Sequence, residues 1–203
     1  MSRLLLCGFG SFPEAPQNPS SAVIEALTAQ AWAPPSAATA YLTLPVSWTR
    51  SAETVLDHAA SGAFDGILVV GVAVETDAFR VETVGRNRAS LARHDHDGAL
   101  WLEPLIQADG PAGIAATAPV GAMHQALLSA GLPARLSDDA GDYLCNFTLY
   151  RLLAAQAAPA VGFLHVPQAR ELAEGAGFGL DQVDLAVRAA AAAFAEALTR
   201  PVA

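Results

Sequence analysis

The chain has no lysine: all 11 of its basic residues are arginine, against 20 acidic residues, and the net charge is −9. That shortage of cations argues against a nucleic-acid partner, because neutralising a run of phosphates needs a basic patch. It argues equally against an anionic membrane surface. Long apolar runs are missing too. The alanine-rich stretch 186–198 carries Arg188 and Glu196, and no segment reaches the roughly 20 apolar residues of a membrane span. Leu4–Phe9 is too short for the apolar part of a secretory signal, and a Gly/Pro-rich loop follows it instead of a small-residue cleavage site. Cysteine occurs only at Cys7 and Cys145. Two distant thiols without an export signal suggest a reducing cytoplasm, and on their own they cannot hold zinc. His94-Asp95-His96-Asp97 reads as a flexible polar loop rather than a ligand set. Gly8-Phe9-Gly10 lacks the third glycine of a phosphate loop. Neither a metal nor a cofactor is expected.

What is present is enough apolar material for a full core: 203 residues, 53% of them hydrophobic, consistent with one domain over 1–203. Gly66–Val72 is a continuous apolar run of the kind found in central parallel strands, Leu4–Phe9 reads as a buried strand, and Val161–Val166 is a short, largely apolar segment. Thr39–Val46, Ala78–Val84 and Pro133–Leu136 read as further strands. Asn18 can cap a helix that starts at Pro19. Ser51–Ala60, Pro119–Leu128, Phe147–Leu153 and Asp181–Leu198 show helical spacing. Alternation of strands and helices predicts a single-domain three-layer α/β/α sandwich with a largely parallel, mixed central sheet. In such folds, sites gather at the carboxyl ends of strands.

One pair of residues suits chemistry at such a place. Cys145 follows the turn-forming Ser137–Asp142 stretch and opens an apolar helix, where the helix N-terminus favours a thiolate. His165 ends a strand closed by Pro167, and a base need only be near in space. A small buried thiol and a core histidine are the alternative reading of this stretch alone.

Four separated motifs then coincide. Gly8-Phe9-Gly10-Ser11-Phe12 with Asn18-Pro19-Ser20 is similar to a Gly-Phe-x-Pro-Phe-Gly…Asn-Pro-Ser pattern. Phe79–Asn87 is similar to Ile-x-x-Glu-Arg-x-Ala-x-Asn. Ser137–Asn146 is similar to Ser-x-x-Ala-Gly-x-Tyr-x-Cys-Asn, and Gly162-Phe163-Leu164-His165-Val166-Pro167 is similar to Gly-Phe-Ile-His-Val-Pro. Together they resemble the pyroglutamyl peptidase I family of cysteine peptidases. The resemblance implies Cys145 as nucleophile, His165 as base and Glu82 as the third member of a triad. It implies Phe9 and Phe12 as the aromatic pair around a lactam ring, with Asn18 and Arg93 near the substrate. It further implies N-terminally pyroglutamyl-blocked peptides as substrates, a cofactor-free reaction and a homo-oligomer, a tetramer in many members.

The match departs at Val72-Ala73-Val74-Glu75-Thr76, where the family usually reads Gln-Ala-Gly-Gly-Arg. Thr83 replaces the arginine after the glutamate, and Arg93 stands one residue out of register for the arginine of a later loop. These departures surround the pocket, not Cys145 or His165. Thiol chemistry is therefore expected to be retained. The acyl specificity stays open between pyroglutamyl and another blocked N-terminus, and a non-catalytic binding protein is the reading from another class. Residues 86–98 are expected to be mobile.

Overall fold

A computed structural model describes residues 1–175 and 177–199; the remaining positions of the single domain expected over 1–203 lie outside the described residues. Three largely apolar strands form the middle of the sheet: β1 (Ser2–Phe9), β3 (Gly66–Val72) and β8 (Ala160–Val166). Every residue of β3 and β8 is buried, as strands covered on both faces require. Beside them lie β2 (Ala37–Leu44), β4 (Phe79–Glu82) and β7 (Ala134–Ser137), in the order β2-β1-β3-β8-β4-β7. β1 to β2, β1 to β3, β3 to β8 and β4 to β7 are parallel, and β4 meets β8 antiparallel. The last two strands of this order, β4 and β7, thus run against the other four, giving the expected mixed sheet.

Helices cover both faces. α1 (Pro19–Ala29), α3 (Val120–Ser129) and α5 (Leu180–Leu198) bury Val23, Leu27, Met123, Leu127 and Phe194 against Leu4, Leu68, Val81 and Leu164. α2 (Ser51–Ser61) and α4 (Leu144–Ala154) bury Val55, Phe147 and Leu152 against Leu5, Val69 and Phe163 on the other face. Each such large side chain contributes about 1.5–3 kcal/mol when withdrawn from water. Asn18 caps α1 as expected, its Oδ1 accepting from the Ser20 N–H at 3.0 Å, with Pro19 in the first turn. The start of α1 presses so closely on β1 that a Cβ at Gly8 would lie 2.6 Å from the Ser20 carbonyl oxygen.

Two expectations fail locally. The single strand expected over Ala78–Val84 is broken at Thr83. Its N–H and Oγ1 both donate to the Ser137 carbonyl, at 2.7 and 2.9 Å. The chain then leaves the main sheet as β5 (Val84–Arg86), which pairs antiparallel with β6 (Gly113–Ala115). Residues 86–98, expected to be mobile, are pinned instead. Asn87 accepts from the N–H groups of Ile106 and Gln107 and donates to the carbonyls of Gln107 and Gly110. Asp95 is buried, and its carboxylate accepts from Asp97, Ala99 and Trp48 N–H groups at 2.8–3.0 Å. The polar loop is thereby nailed to the segment before α2.

Candidate active site

The carboxyl ends of β1, β3 and β8 and the start of α4 surround a cavity of about 610 Å³. Six of the seven residues singled out in the sequence line it: Phe9, Phe12, Asn18, Arg93, Cys145 and His165. The seventh, Glu82, lies behind His165 with no exposed surface.

Cys145 is the second residue of α4, whose first-turn N–H groups have no partner within the helix. The approach to this helix is braced by the 86–90 strip. Ser90 N–H donates to the Asp142 carbonyl at 2.7 Å, and Arg86 and Arg88 pair with Asp138 and Asp139. Asn146, next to Cys145 and fully buried, clamps the same strip: its Oδ1 accepts from Arg86 N–H at 2.8 Å, and its Nδ2 donates to the Arg86 and Arg88 carbonyls. The sulfur itself rests over a gap in the sheet. A Cβ at Gly71 would stand 3.0 Å from Cys145 Sγ and 2.8 Å from the Phe163 ring. Gly71 is the register partner of His165 across β3 and β8. The thiol and the imidazole therefore flank the same bare point of backbone and face one cavity.

The imidazole is held from behind. Its Nδ1 lies 2.7 Å from Glu82 Oε1, both groups being buried. A carboxylate only accepts, so Nδ1 carries the proton and Nε2 is left as the acceptor facing the site. Arg80 was not singled out in the sequence, yet it completes this group. It sits opposite His165 in the β4–β8 ladder, its Nη2 3.3 Å from His165 Nδ1 and its Nε 3.3 Å from Glu82 Oε1. The signal was available: Arg80 and Glu82 are two apart on a strand and share a face.

The protonation states follow from burial. Desolvation pushes the Cys145 thiol up to about 12; Glu82 adds to the rise, while Arg93, Arg80 and the residue's own N–H oppose it. The face Cys145 keeps toward the cavity moderates that cost, and the sign stands. The thiolate expected from the helix N-terminus is outweighed, because the apolar walls disfavour charge more than one helix end favours it. His165 is lowered, first by burial and also by Arg80, against the hydrogen bond and charge of Glu82. A neutral thiol beside a neutral imidazole is the resting pair. Such a pair can deliver a sulfur nucleophile by passing its proton to the ring as a bond forms, and can return that proton to a leaving group.

Around this pair the wall is aromatic and charged. Phe9 packs near Phe163 and Phe12 near Tyr143, with centroids 6.4 and 6.3 Å apart. Arg93 lies over the Tyr143 ring at 3.8 Å and reaches Glu14 at 3.8 Å. Tyr143 donates to the His94 carbonyl, tying that arginine's loop to the start of α4. Asn18 lines the cavity, but its amide is spent on the fold, donating to Gly10 and accepting from Ser20. Among the described residues, no group of three or more His, Cys, Asp and Glu is placed to hold a metal.

Comparison with known proteins explains this geometry. A family model described as pyroglutamyl peptidase matches residues 2–199. The chain belongs to the pyroglutamyl peptidase family. Among relatives, the pyrrolidone-carboxylate peptidase of Streptococcus pyogenes is 30% identical over 196 residues, covering 93% of this chain and 90% of that protein. The one from Halalkalibacterium halodurans is 31% identical over 175 residues, covering 84% and 86%. The crystal structure of pyroglutamyl peptidase I from Bacillus amyloliquefaciens superposes with a TM-score of 0.88 at 25% identity, covering 97% and 98% of the two chains. That of pyrrolidone carboxyl peptidase from Thermus thermophilus gives 0.84 at 28%, covering 93% and 98%.

Against the pyroglutamyl peptidase pattern, the departure at 72–76 is benign for the backbone. None of these residues has a positive φ, so nothing there requires glycine. The loop closes as an ordinary turn from Thr76 N–H to the Ala73 carbonyl, and Thr76 Oγ1 donates to Ala78. Its effect is on the lining, since Val74, Glu75 and Thr76 all face the cavity.

Proposed function

We propose that this protein is one catalytic domain that hydrolyses the amide after an N-terminal pyroglutamyl residue, with Cys145 as nucleophile, His165 as general base and acid, and Glu82 as the group that orients the ring. The observation that carries the reading is the continuous line from the thiol past Gly71 to His165 and on to Glu82. His165 Nε2 takes the proton of Cys145 Sγ as the sulfur attacks the pyroglutamyl carbonyl carbon. The oxygen gains the negative charge beside the unpaired N–H groups at the start of α4, of which that of Cys145 is nearest the reaction. The C–N bond then breaks, the leaving amine takes the proton from His165, and a thioester remains. Water attacks the thioester, giving one proton to His165, which returns it to the departing sulfur. Glu82 stabilises the transient imidazolium throughout.

The lactam ring is neutral, so apolar walls suit it, and Phe9 and Phe12 supply them. A volume of about 610 Å³ leaves room for the ring and the residue that follows. No helix among the described residues is long and apolar enough to cross a membrane. We further infer a cytoplasmic protein that acts as a homo-oligomer, a tetramer by family resemblance. A second reading, a thiol amidase for a different blocked N-terminus, is favoured by Glu75, Arg80 and Arg135, which add charge to a wall that a lactam does not need. Turnover of a fluorogenic pyroglutamyl amide tests the assignment. Activity is expected, and both iodoacetamide and Cys145→Ser abolish it while the fold survives. Turnover unaffected by Cys145→Ser ends the nucleophile assignment, and turnover only of other acyl-amides selects the second reading.

A further inference from the structure

Arg80 has an unusual place. It stands at the level of His165 in the sheet, with its side chain about one-fifth exposed and facing the cavity. Its guanidinium reaches both halves of the Glu82–His165 pair: Nη2 lies 3.3 Å from His165 Nδ1, a nitrogen already shared with Glu82 at 2.7 Å, and Nε lies 3.3 Å from Glu82 Oε1. Its Nε is buried without a hydrogen-bond partner, and so is Glu82 Oε2. A cation held this way is not anchoring the fold. β4 is fixed by its ladders to β7 and β8 and by Phe79 and Val81 in the opposite face of the core. What the cation does is electrostatic.

We propose that Arg80 is a positioning residue that sets the pH window of the reaction: its fixed positive charge holds the proton affinity of the Cys145–His165–Glu82 group down, so that the neutral thiol–imidazole form is the one present near neutrality. This rests on the role given above to Cys145 and His165. The reactive form carries one proton shared between sulfur and ring. Gaining a second proton makes an imidazolium beside a thiol and stops the reaction on the acid side. Losing the shared proton leaves a thiolate with no acid for the leaving amine and stops it on the alkaline side. A nearby cation disfavours every added proton, so it lowers both limits together. The other charges facing this group are accounted for. Glu82 acts in the opposite sense from β4 behind the ring, and Arg93 acts in the same sense from its loop over Tyr143. Arg135 is occupied by Asp77, and Glu14 lies against Arg93. Glu75 and Asp142 complete the charged lining. The sheet neighbour at Gly71 carries no charge.

The test compares wild type, Arg80→Met and Arg80→Lys by the pH dependence of kcat/KM for a pyroglutamyl amide. In parallel, the pH dependence of Cys145 alkylation by iodoacetamide is followed by mass spectrometry. Cys7 is wholly buried, which confines fast alkylation to Cys145. Arg80→Met is expected to move both limbs of the rate profile, and the alkylation midpoint, to higher pH by about one unit, the scale of one charge a few ångströms away. Arg80→Lys should return them most of the way. A uniform loss of rate with limbs in place, or limbs moved to lower pH, overturns the proposal. If Arg80→Met turns over too slowly to profile, the alkylation midpoint decides by the same criterion. If Arg80→Met does not fold, the comparison of wild type with Arg80→Lys decides: a Lys profile displaced by as much as a lost charge requires overturns it. Absence of turnover in the wild type would instead strike the proposed peptidase activity, and alkylation would still report on Arg80.

Discussion

Replacing Gly71 by alanine tests the spatial logic of the site with a single methyl group. The new Cβ would lie 3.0 Å from Cys145 Sγ, 2.8 Å from Phe163 Cζ and 3.1 Å from its Cε1. Non-bonded heavy atoms prefer separations of about 3.5–4.0 Å, so something must retreat by about half an ångström or more. Phe163 has little freedom, being wholly buried with its ring against Phe9 and His165. The sulfur faces a cavity and can move. The backbone gives no reason for strain, because Gly71 does not have a positive φ. Overpacking of this kind costs about 1–3 kcal/mol, and for a chain of this length that lowers the melting temperature by roughly 3–10 °C. The effect on catalysis should be larger in proportion, since a nucleophile misplaced by ~1 Å can cost about 10²-fold. We expect Gly71→Ala to fold and to lose about 10- to 100-fold in kcat/KM for a pyroglutamyl amide. A thermal melt and steady-state kinetics on the same sample separate the two effects. A folded variant with unchanged kcat/KM would refute the idea that this bare stretch of β3 sets the approach of thiol to imidazole.

Other perturbations reach different parts of the same structure. Asn146→Ala strands two carbonyls and one N–H of the 86–88 strip, and should destabilise the protein by about 2–4 kcal/mol in urea unfolding; a near-neutral result would show that the clamp is dispensable. Asp95→Ala should release the 93–99 loop, seen as faster hydrogen exchange of the Ala99 and Asp97 amides with little change elsewhere; unchanged protection would mean that other contacts hold it. Both thiols are pushed above their ordinary value of 9.0 by burial, so the stability they contribute is complete below that value and drains away as pH rises, because the unfolded chain ionises first. Cys7→Ala should therefore keep more of its melting temperature than wild type as pH rises above 9.0, and parallel curves for the two proteins would contradict this.

The buried strands were plain in the sequence because both of their faces are covered, which leaves an unbroken apolar run in β3 and one interrupted only by His165 in β8. The cap of α1 was plain because Asn18 and Pro19 act within one turn. What escaped notice depends on partners far along the chain. The bend at Thr83 depends on distant partners, since Ser137, 54 residues away, accepts from its N–H and Oγ1 while Ala116 N–H donates to its carbonyl. Asp95 looks like any loop carboxylate until Trp48 supplies a donor from 47 residues away. Arg80 reads as the wet side of a strand, and only the antiparallel neighbour turns it toward His165. The local push of a helix end on Cys145 could be foreseen, whereas the larger opposing effect of burial could not.

The reversal of β4 has a consequence for how this site can vary. Because Arg80 pairs with His165 and Glu82 with Phe163, the chain passes the imidazole first and descends to the carboxylate afterwards. Sliding that strand by one position would bring Val81 level with His165 and turn both charges to the opposite face of the sheet, where Phe79 and Val81 now pack. Exchange of side chains can therefore retune this edge gradually, whereas insertion or deletion of a single residue in the strand dismantles it in one step. Length polymorphism should be confined to the loops on either side of β4, and libraries aimed at new acyl groups are best built by substitution at 72–76, leaving the count of residues from 79 to 82 untouched.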